Sequence, residues 1–166
     1  MPKQIIPTSS KTALDQSIEA IIRSVSNMTD TQKKDFLGVA TLLRDCDNYH
    51  KDYDAEEIRK YFLQPILNGT YVTVWQDDKM MSIGIYGYLS EDVVRKWLTH
   101  HYDLTGEDWN SGSQIWLVDI LAPYGHGIAT CRELRKRAGE LNLLGKNVNF
   151  IRTYKDGRYK KEQMKL

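Results

Sequence analysis

The first third of the chain carries hydrophobic positions at helical spacing. Apolar residues recur every three or four positions from Thr12 to Asn27, which predicts an amphipathic helix. Thr29 or Asp30 can cap a second helix. Four of its apolar residues share one face and are expected to point into the core: Phe36, Leu37, Ala40 and Leu43. Asp54, with Glu57 three residues later, forms a capping box that predicts the start of a third helix.

Strand patterns then alternate with helical ones. The chain order is a hairpin at 71–75 and 80–88, a helix capped by Ser90, a strand at 114–121, a helix near 128–141 and a strand at 147–154. The strand at 114–121 is mostly apolar, so we expect both of its faces to be buried. The pattern predicts a mixed α/β (α+β) domain in which helices flank a central sheet.

Composition narrows the functional class. The chain has 23 Lys and Arg against 22 Asp and Glu, without the basic excess of a general nucleic-acid binder. It has no run of about 18 apolar residues, so no transmembrane segment is predicted, and no secretory signal is visible. Cys46 and Cys131 show no metal-ligand spacing. We therefore expect a cytoplasmic protein without nucleic-acid partners or a metal site.

The strand at 114–121 places an acidic residue in apolar surroundings. Burying Asp119 alone would be costly, so we expect a cation, several donors or solvent at a cleft beside it. A structural ion pair, or a position of Asp119 at the protein surface, would explain this carboxylate equally well. The glycines of the following segment, Gly125-His126-Gly127, allow a sharp turn into a helix. Amide groups at such a helix start attract a phosphate or an oxyanion, although an ordinary strand-to-helix turn has the same pattern.

Residues Glu107 to Gly125 resemble the signature of the RTX toxin-activating lysine acyltransferases. The matching residues are Asp108-Trp109-Asn110-Ser111-Gly112, Trp116, Asp119 and Ala122-Pro123-Tyr124-Gly125, with Tyr124 where the family has Phe. The resemblance extends over residues 36–160 and implies a GNAT-like single domain with a central mixed sheet. It divides the chain into an amino-terminal helical extension at 1–35 and an acyltransferase domain at 36–166.

The family has a catalytic aspartate, which Asp119 matches, and a catalytic histidine, and His50 stands in the place of that histidine. It follows Leu37-Gly38 at a similar gap and lies 69 positions before Asp119. Without the resemblance, His50 would be interpreted as a solvated loop residue. His126 is the second candidate, while the His100-His101 pair lies at a helix end, where imidazolium favours the carbonyl dipole.

The segment around His50 departs from the family pattern. The family has Ser-Pro and a hydrophobic residue before the histidine, whereas this chain has Asn48-Tyr49. A polar residue that the family has shortly before the counterpart of Pro65 aligns with Phe62, and Gln64 is the alternative. These differences affect the site assignments and the substrate more than the class of enzyme.

The resemblance implies a bacterial enzyme that moves a fatty acyl group from acyl carrier protein to internal lysines of an RTX protoxin, which activates the toxin. His50 would deprotonate the lysine and Asp119 would orient the imidazole. The amides of Gly125, His126 and Gly127 would bind the donor or the oxyanion. No tightly bound cofactor is expected, because the acyl-carrier thioester is a co-substrate, and a homodimer is implied.

Acyl carrier protein is acidic, so its docking surface should be basic. The candidates are Arg132, Arg135, Lys136 and Arg137, with the basic carboxyl-terminal run as a second choice. Ala122 stands where the GNAT donor loop usually has Gln or Arg, which favours acyl carrier protein over coenzyme A. Two other hypotheses are a GNAT acetyltransferase that uses acetyl-coenzyme A and a catalytically lapsed relative that binds a toxin or carrier protein.

Overall fold

The computed structural model describes residues 12–100, 102–154, 156 and 158–166. Its helices are α1 (Ala13–Ser26), α2 (Asp30–Arg44), a 3-10 turn (Tyr49–Asp52), α3 (Ala55–Ile58), a π-helical segment (Arg59–Leu63), α4 (Gln64–Asn68), α5 (Glu91–Thr99) and α6 (Gly127–Glu140). Its strands are β1 (Tyr71–Gln76), β2 (Lys79–Leu89), β3 (Gln114–Leu121), β4 (Asn147–Thr153) and β5 (Tyr159–Lys165). Residues 1–11 of the predicted extension and His101 lie outside the described residues.

The five strands form one mixed sheet in the order β1-β2-β3-β4-β5. Neighbours are antiparallel except β3 and β4, which run parallel. One side of the sheet packs against α2, α4 and α5, and α6 covers the other side. This architecture confirms the predicted mixed α/β domain and is consistent with a GNAT-like fold. None of the helices in the described ranges has the length and apolar character that a membrane crossing requires.

Side-chain caps mark the helix starts, and the cap predicted at Thr29 is present. Thr12 and Asp15 form a reciprocal capping box at the start of α1, and Thr29 forms one with Gln32 at the start of α2. Each box satisfies backbone donors that have no partner inside the helix. Because α2 begins at Asp30, a domain boundary at residue 36 would cut through this helix.

The predicted core face of α2 is only partly right: Phe36 and Leu43 pack against the core, but Leu37 and Ala40 are exposed. Leu37 is 69% exposed, whereas Asp35, Gly38, Val39 and Leu42 are buried. Asp35 tolerates burial because its carboxylate accepts hydrogen bonds from the Tyr71 hydroxyl at 2.6 Å and the Trp75 ring N–H at 3.2 Å. Gly38 is required by close packing, since a Cβ there would lie 2.7 Å from Cε of Met80. The buried side of α2 is therefore rotated from the predicted face, so that it includes Asp35 and Gly38 but not Leu37.

The segment that carries most of the family resemblance has a structural role around the start of α5. Asp108 accepts hydrogen bonds from the Tyr102 hydroxyl and from the Thr105 amide and hydroxyl. Trp109 is fully buried in the core. A Cβ on Gly112 would lie 2.5 Å from the Ser90 backbone, so only glycine fits. These residues hold α5 against the ends of β2 and β3.

Candidate active site

A β-bulge directs Asp119 to one side of the sheet. Ile85 pairs with Asp119 and Tyr86 pairs with Leu117, so Val118 is an extra residue on β3. In a regular strand, Asp119 and Leu117 would point to the same side, because side chains alternate with a period of two. Leu117 packs on the α6 side. The bulge turns Asp119 to the opposite side, where α2 and α4 lie.

His50 meets Asp119 on that side. Its ring nitrogen Nε2 lies 2.9 Å from Oδ1 and 2.8 Å from Oδ2 of Asp119. The His50 side chain is 1% exposed, and that of Asp119 is 8% exposed. The predicted contact between these two residues is therefore present. The interpretation of His50 as a solvated loop residue is wrong, because the 3-10 turn buries its ring.

Aromatic rings enclose the imidazole. The ring centroids of Tyr49 and Tyr53 lie 4.1 Å and 5.2 Å from that of His50, and Phe62 follows at 6.4 Å. Phe62 is fully buried. Phe62 aligns with a polar residue of the family. In this chain the position therefore places an apolar ring beside His50.

Two tyrosine hydroxyls complete the surroundings of the carboxylate. Tyr49 donates to Oδ1 of Asp119 at 3.3 Å, and Tyr53 donates to Oδ2 at 3.5 Å. Burial, together with the Asp119 charge, raises the pKa of Tyr53, so this hydroxyl stays protonated and can only donate to the carboxylate. Neither tyrosine was predicted from the sequence. Tyr53 lies one turn beyond His50, and this spacing is the signal that could have identified it.

A cavity of about 560 Å³ opens beside Asp119 where β3 and β4 separate. The two strands pair only along Ile115–Leu117 and Val148–Phe150, although both continue further. The lining is mostly apolar and comprises Tyr49, Trp97, Leu98, residues 117–120, Phe150, Ile151, Thr153 and Tyr159. Such a cavity suits a long, largely apolar ligand whose reactive end lies beside a single carboxylate.

The glycine turn leads from β3 into α6. Gly125 has a φ of 84°, a conformation that favours glycine. Its amide donates to the Ala122 carbonyl at 3.1 Å, so it is already used within the turn. His126 is the N-cap of α6 and makes no side-chain capping bond. The candidate donors for a phosphate or an oxyanion are therefore the amides from Gly127 onward, which have no acceptor inside the helix.

His126 does not take part in the pair. Within the described part of the chain, the hydrogen-bond partners of Asp119 are His50, Tyr49 and Tyr53. His126 instead starts α6, where its carbonyl accepts hydrogen bonds from the Thr130 amide and hydroxyl. Of the two candidate histidines, the structure therefore places His50 against Asp119.

The turn is tied to the end of α2. The Tyr124 hydroxyl donates to the carboxylate of Asp45, and Nζ of Lys79 lies 4.0 Å from the centroid of the Tyr124 ring. The hydrogen bonds from Arg44 and Tyr124 lower the pKa of Asp45 to about 2, so this carboxylate stays charged at neutral pH. The exchange of the family's Phe for Tyr124 therefore adds a hydrogen bond between the turn and the segment that leads to His50.

Acidic neighbours offset part of the predicted basic surface on α6. Arg132, Arg135 and Lys136 are exposed. Arg137 pairs with Glu140 at 2.9 Å, and Lys136 lies 4.0 Å from Glu133. Ile128, in the first turn of α6 and one turn before Arg132, is 73% exposed. Ile128, Arg132 and Arg135 form an exposed apolar and cationic strip that starts beside the glycine turn.

Neither cysteine has the character of a nucleophile. Cys46 and Cys131 are free thiols. Burial, assisted by Asp47, Asp119 and Asp45, raises the pKa of Cys46, and burial raises that of Cys131. A raised pKa keeps a thiol protonated and unreactive. The described site therefore offers a carboxylate–imidazole pair with tyrosine donors rather than a thiolate.

Comparisons with known proteins show which family the chain belongs to. A profile described as the RTX toxin acyltransferase family matches residues 29–162. The RTX-III toxin-activating lysine-acyltransferase of Actinobacillus pleuropneumoniae is 30% identical over 117 residues, which cover 69% of this chain and 65% of that protein. A lysine-acyltransferase of Vibrio cholerae serotype O1 is 26% identical over 120 residues, covering 71% and 78%.

A third relative is the protein-lysine myristoyltransferase of Escherichia coli. It is 27% identical over 103 residues, which cover 62% of this chain and 61% of that protein. The matched part thus spans less than two thirds of the Actinobacillus and Escherichia proteins. The names of all three relatives describe acyl transfer to lysine.

Proposed function

Because the chain belongs to the RTX toxin acyltransferase family, we propose that it transfers a fatty acyl group from a thioester donor to lysine side chains of a polypeptide. The observation that carries this proposal is the contact between His50 and Asp119 at the side of an apolar cavity. An acyl chain needs an apolar channel, and aminolysis of a thioester needs a proton acceptor at the end of that channel. The site combines the two.

The geometry supports a division of roles that differs from the one predicted from the sequence. His50 was expected to take the proton from the lysine directly. Its ring is almost fully buried, with Nε2 against Asp119 and Nδ1 against the side-chain oxygen of Asn48. Asp119 lines the cavity. We therefore assign the contact with the amine to Asp119, while His50 stabilises this carboxylate from behind.

The lysine ammonium loses one proton, and the free amine attacks the thioester carbon. A carbon–nitrogen bond forms as the carbon–sulfur bond breaks. The nitrogen then loses a second proton when it becomes an amide nitrogen. One of the two protons ends on the leaving thiol and the other in solvent, and Asp119 is the group beside the cavity that can carry them.

The transient oxyanion also needs donors. The first amides of α6, beginning at Gly127, project from a helix start, where the helix dipole favours negative charge. Among the proposed donor-binding residues, Gly125 shapes the turn and His126 caps the helix. The same amides suit the phosphate of a phosphopantetheine arm.

We further propose acyl carrier protein as the donor and an RTX protoxin as the acceptor. An acidic carrier would meet Arg132 and Arg135 in the strip that starts beside the glycine turn. Lys136 and Arg137 contribute less, because acidic neighbours on α6 offset their charge. A homodimer and a cytoplasmic location stay predictions.

The function is tested with the purified chain, a fatty acyl carrier protein and an RTX protoxin as the acceptor. Peptide mass spectrometry should find acylated lysines, and the same fatty acid on coenzyme A should react far more slowly. Arg132→Glu combined with Arg135→Glu should raise the KM for the carrier and leave kcat nearly unchanged. Absence of acyl lysine with every donor, from a folded chain, would refute the proposal.

A further inference from the structure

Asn48 makes two contacts with His50 through one atom. Its side-chain Oδ1 lies 3.0 Å from the backbone nitrogen of His50 and 2.9 Å from the ring nitrogen Nδ1. A backbone N–H can only donate, so the atom that it meets must be the amide oxygen of Asn48 and not its nitrogen. That oxygen can only accept. Nδ1 must therefore carry a proton in the second contact.

We propose that Asn48 is a positioning residue that fixes the His50 ring with the proton on Nδ1, so that Nε2 faces Asp119. This inference deepens the proposed function and rests on it. The backbone contact also starts the 3-10 turn Tyr49–Asp52, since Asn48 is the cap of that turn. One side chain thus fixes both the backbone at His50 and the rotation of its ring.

The consequence concerns where the proton of the pair can lie. With Nδ1 always protonated, Nε2 is the ring nitrogen that changes state, and it lies 2.8–2.9 Å from the Asp119 oxygens. A proton can then be shared between Nε2 and the carboxylate without any movement of the ring. In a serine-protease triad a carboxylate fixes the histidine tautomer in the same way. Here a neutral amide does so and adds no charge to the pair.

Loss of Asn48 would leave Nδ1 without this acceptor in an almost fully buried ring. A buried N–H without a partner is costly, so the tautomer with the proton on Nε2 would gain population. In that tautomer, Nε2 of the neutral ring cannot accept a proton from Asp119. Asn48 is also one of the residues before His50 that depart from the family pattern. In this chain, Asn48 therefore orients the histidine in place of the residue that the family has there.

The test compares Asn48→Ala with Asn48→Asp, which keeps an acceptor oxygen at the same place. Asn48→Ala should lower kcat by about 10- to 100-fold, as small misplacements of catalytic groups do, with little change in the KM for the acyl donor. Asn48→Asp should recover most of kcat. Asp47→Ala alters the exposed neighbouring residue and should behave as wild type.

A spectroscopic measurement separates positioning from simple stability. The ¹⁵N shifts of the His50 ring should report a protonated Nδ1 in the wild type and Asn48→Asp, and a loss of that state in Asn48→Ala. This measurement does not depend on acyl transfer, so it tests the role of Asn48 even if the proposed function is wrong. Wild-type kcat in Asn48→Ala, or an unprotonated Nδ1 in the wild type, would overturn the inference.

Discussion

Replacing Asp119 with asparagine is expected to lower kcat for acyl transfer by about 10²- to 10⁴-fold, the range that general acid–base catalysis supplies. The amide has nearly the same shape as the carboxylate, so it can still contact Nε2 of His50 and the two tyrosine hydroxyls. It cannot accept the proton that the lysine must lose. The loss should therefore appear in kcat, measured with saturating acyl carrier protein and acceptor.

Asp52→Asn is the matched control for this variant. Asp52 lies in the same 3-10 turn as His50 but is exposed. We expect this variant to retain activity within about twofold, since exposed substitutions usually have small effects. Circular dichroism should show that both variants are folded. A folded Asp119→Asn variant with wild-type kcat would remove Asp119 from the chemistry.

Replacing His50 with alanine is expected to reduce both activity and stability. The change removes the donor at Nε2 and leaves the Asp119 carboxylate poorly compensated. We expect a loss of about 1.5–3 kcal/mol in the free energy of unfolding, as for a hydrogen bond to a charged group. This is below the 3–5 kcal/mol typical of a broken, fully buried ion pair, because Asp119 borders the cavity and keeps Tyr49 and Tyr53.

A double-mutant cycle with Asp119→Asn separates the interaction energy between His50 and Asp119 from the effect that each substitution has by itself. Urea unfolding followed by the fluorescence of the four tryptophans gives the free energies. If the pair stabilises the fold through its charge, His50→Ala should cost less in the Asp119→Asn background than in the wild type. Equal costs in both backgrounds would mean that His50 stabilises the fold through packing alone.

Much of the fold could be predicted because local signals agree with tertiary packing. The predicted helix from Thr12 to Asn27 is found as α1, and the strand predicted at 114–121 is β3 with the same bounds. Apolar residues recur at helical spacing in α1, and a mostly apolar run marks β3, so in both cases the local pattern agrees with the element that forms. The contact between His50 and Asp119 was predicted from the resemblance, since no local signal links two residues 69 positions apart.

Other features depend on contacts that the sequence pattern does not encode. β5 was not predicted, because residues 159–165 are rich in lysine and were interpreted as a basic tail. An edge strand tolerates such charges, since its side chains reach water. The bulge at Val118 was also missed, although it decides which side of the sheet Asp119 faces. Without it, Asp119 would share the α6 side with Leu117.

The resemblance pointed to residues of two kinds. Asp108, Trp109 and Gly112 build the structure around α5, as their buried contacts indicate. Among the matched residues, Asp119 is the one for which the described part of the chain shows a hydrogen bond to His50. A match over a long segment therefore supports the fold along its whole length but supports chemistry at few positions, and the geometry is needed to separate them.

The most direct test of the account is a crystal structure with a stable analogue of the acyl-pantetheine thioester. We expect the acyl chain to lie in the cavity between β3 and β4, with its carbonyl group beside Asp119 and toward the first amides of α6. A second apolar groove of about 600 Å³, between α2 and the β1–β2 hairpin, is lined by Leu37, Trp75 and Met80. Binding of the analogue in that groove, with the β3–β4 cavity empty, would contradict the account.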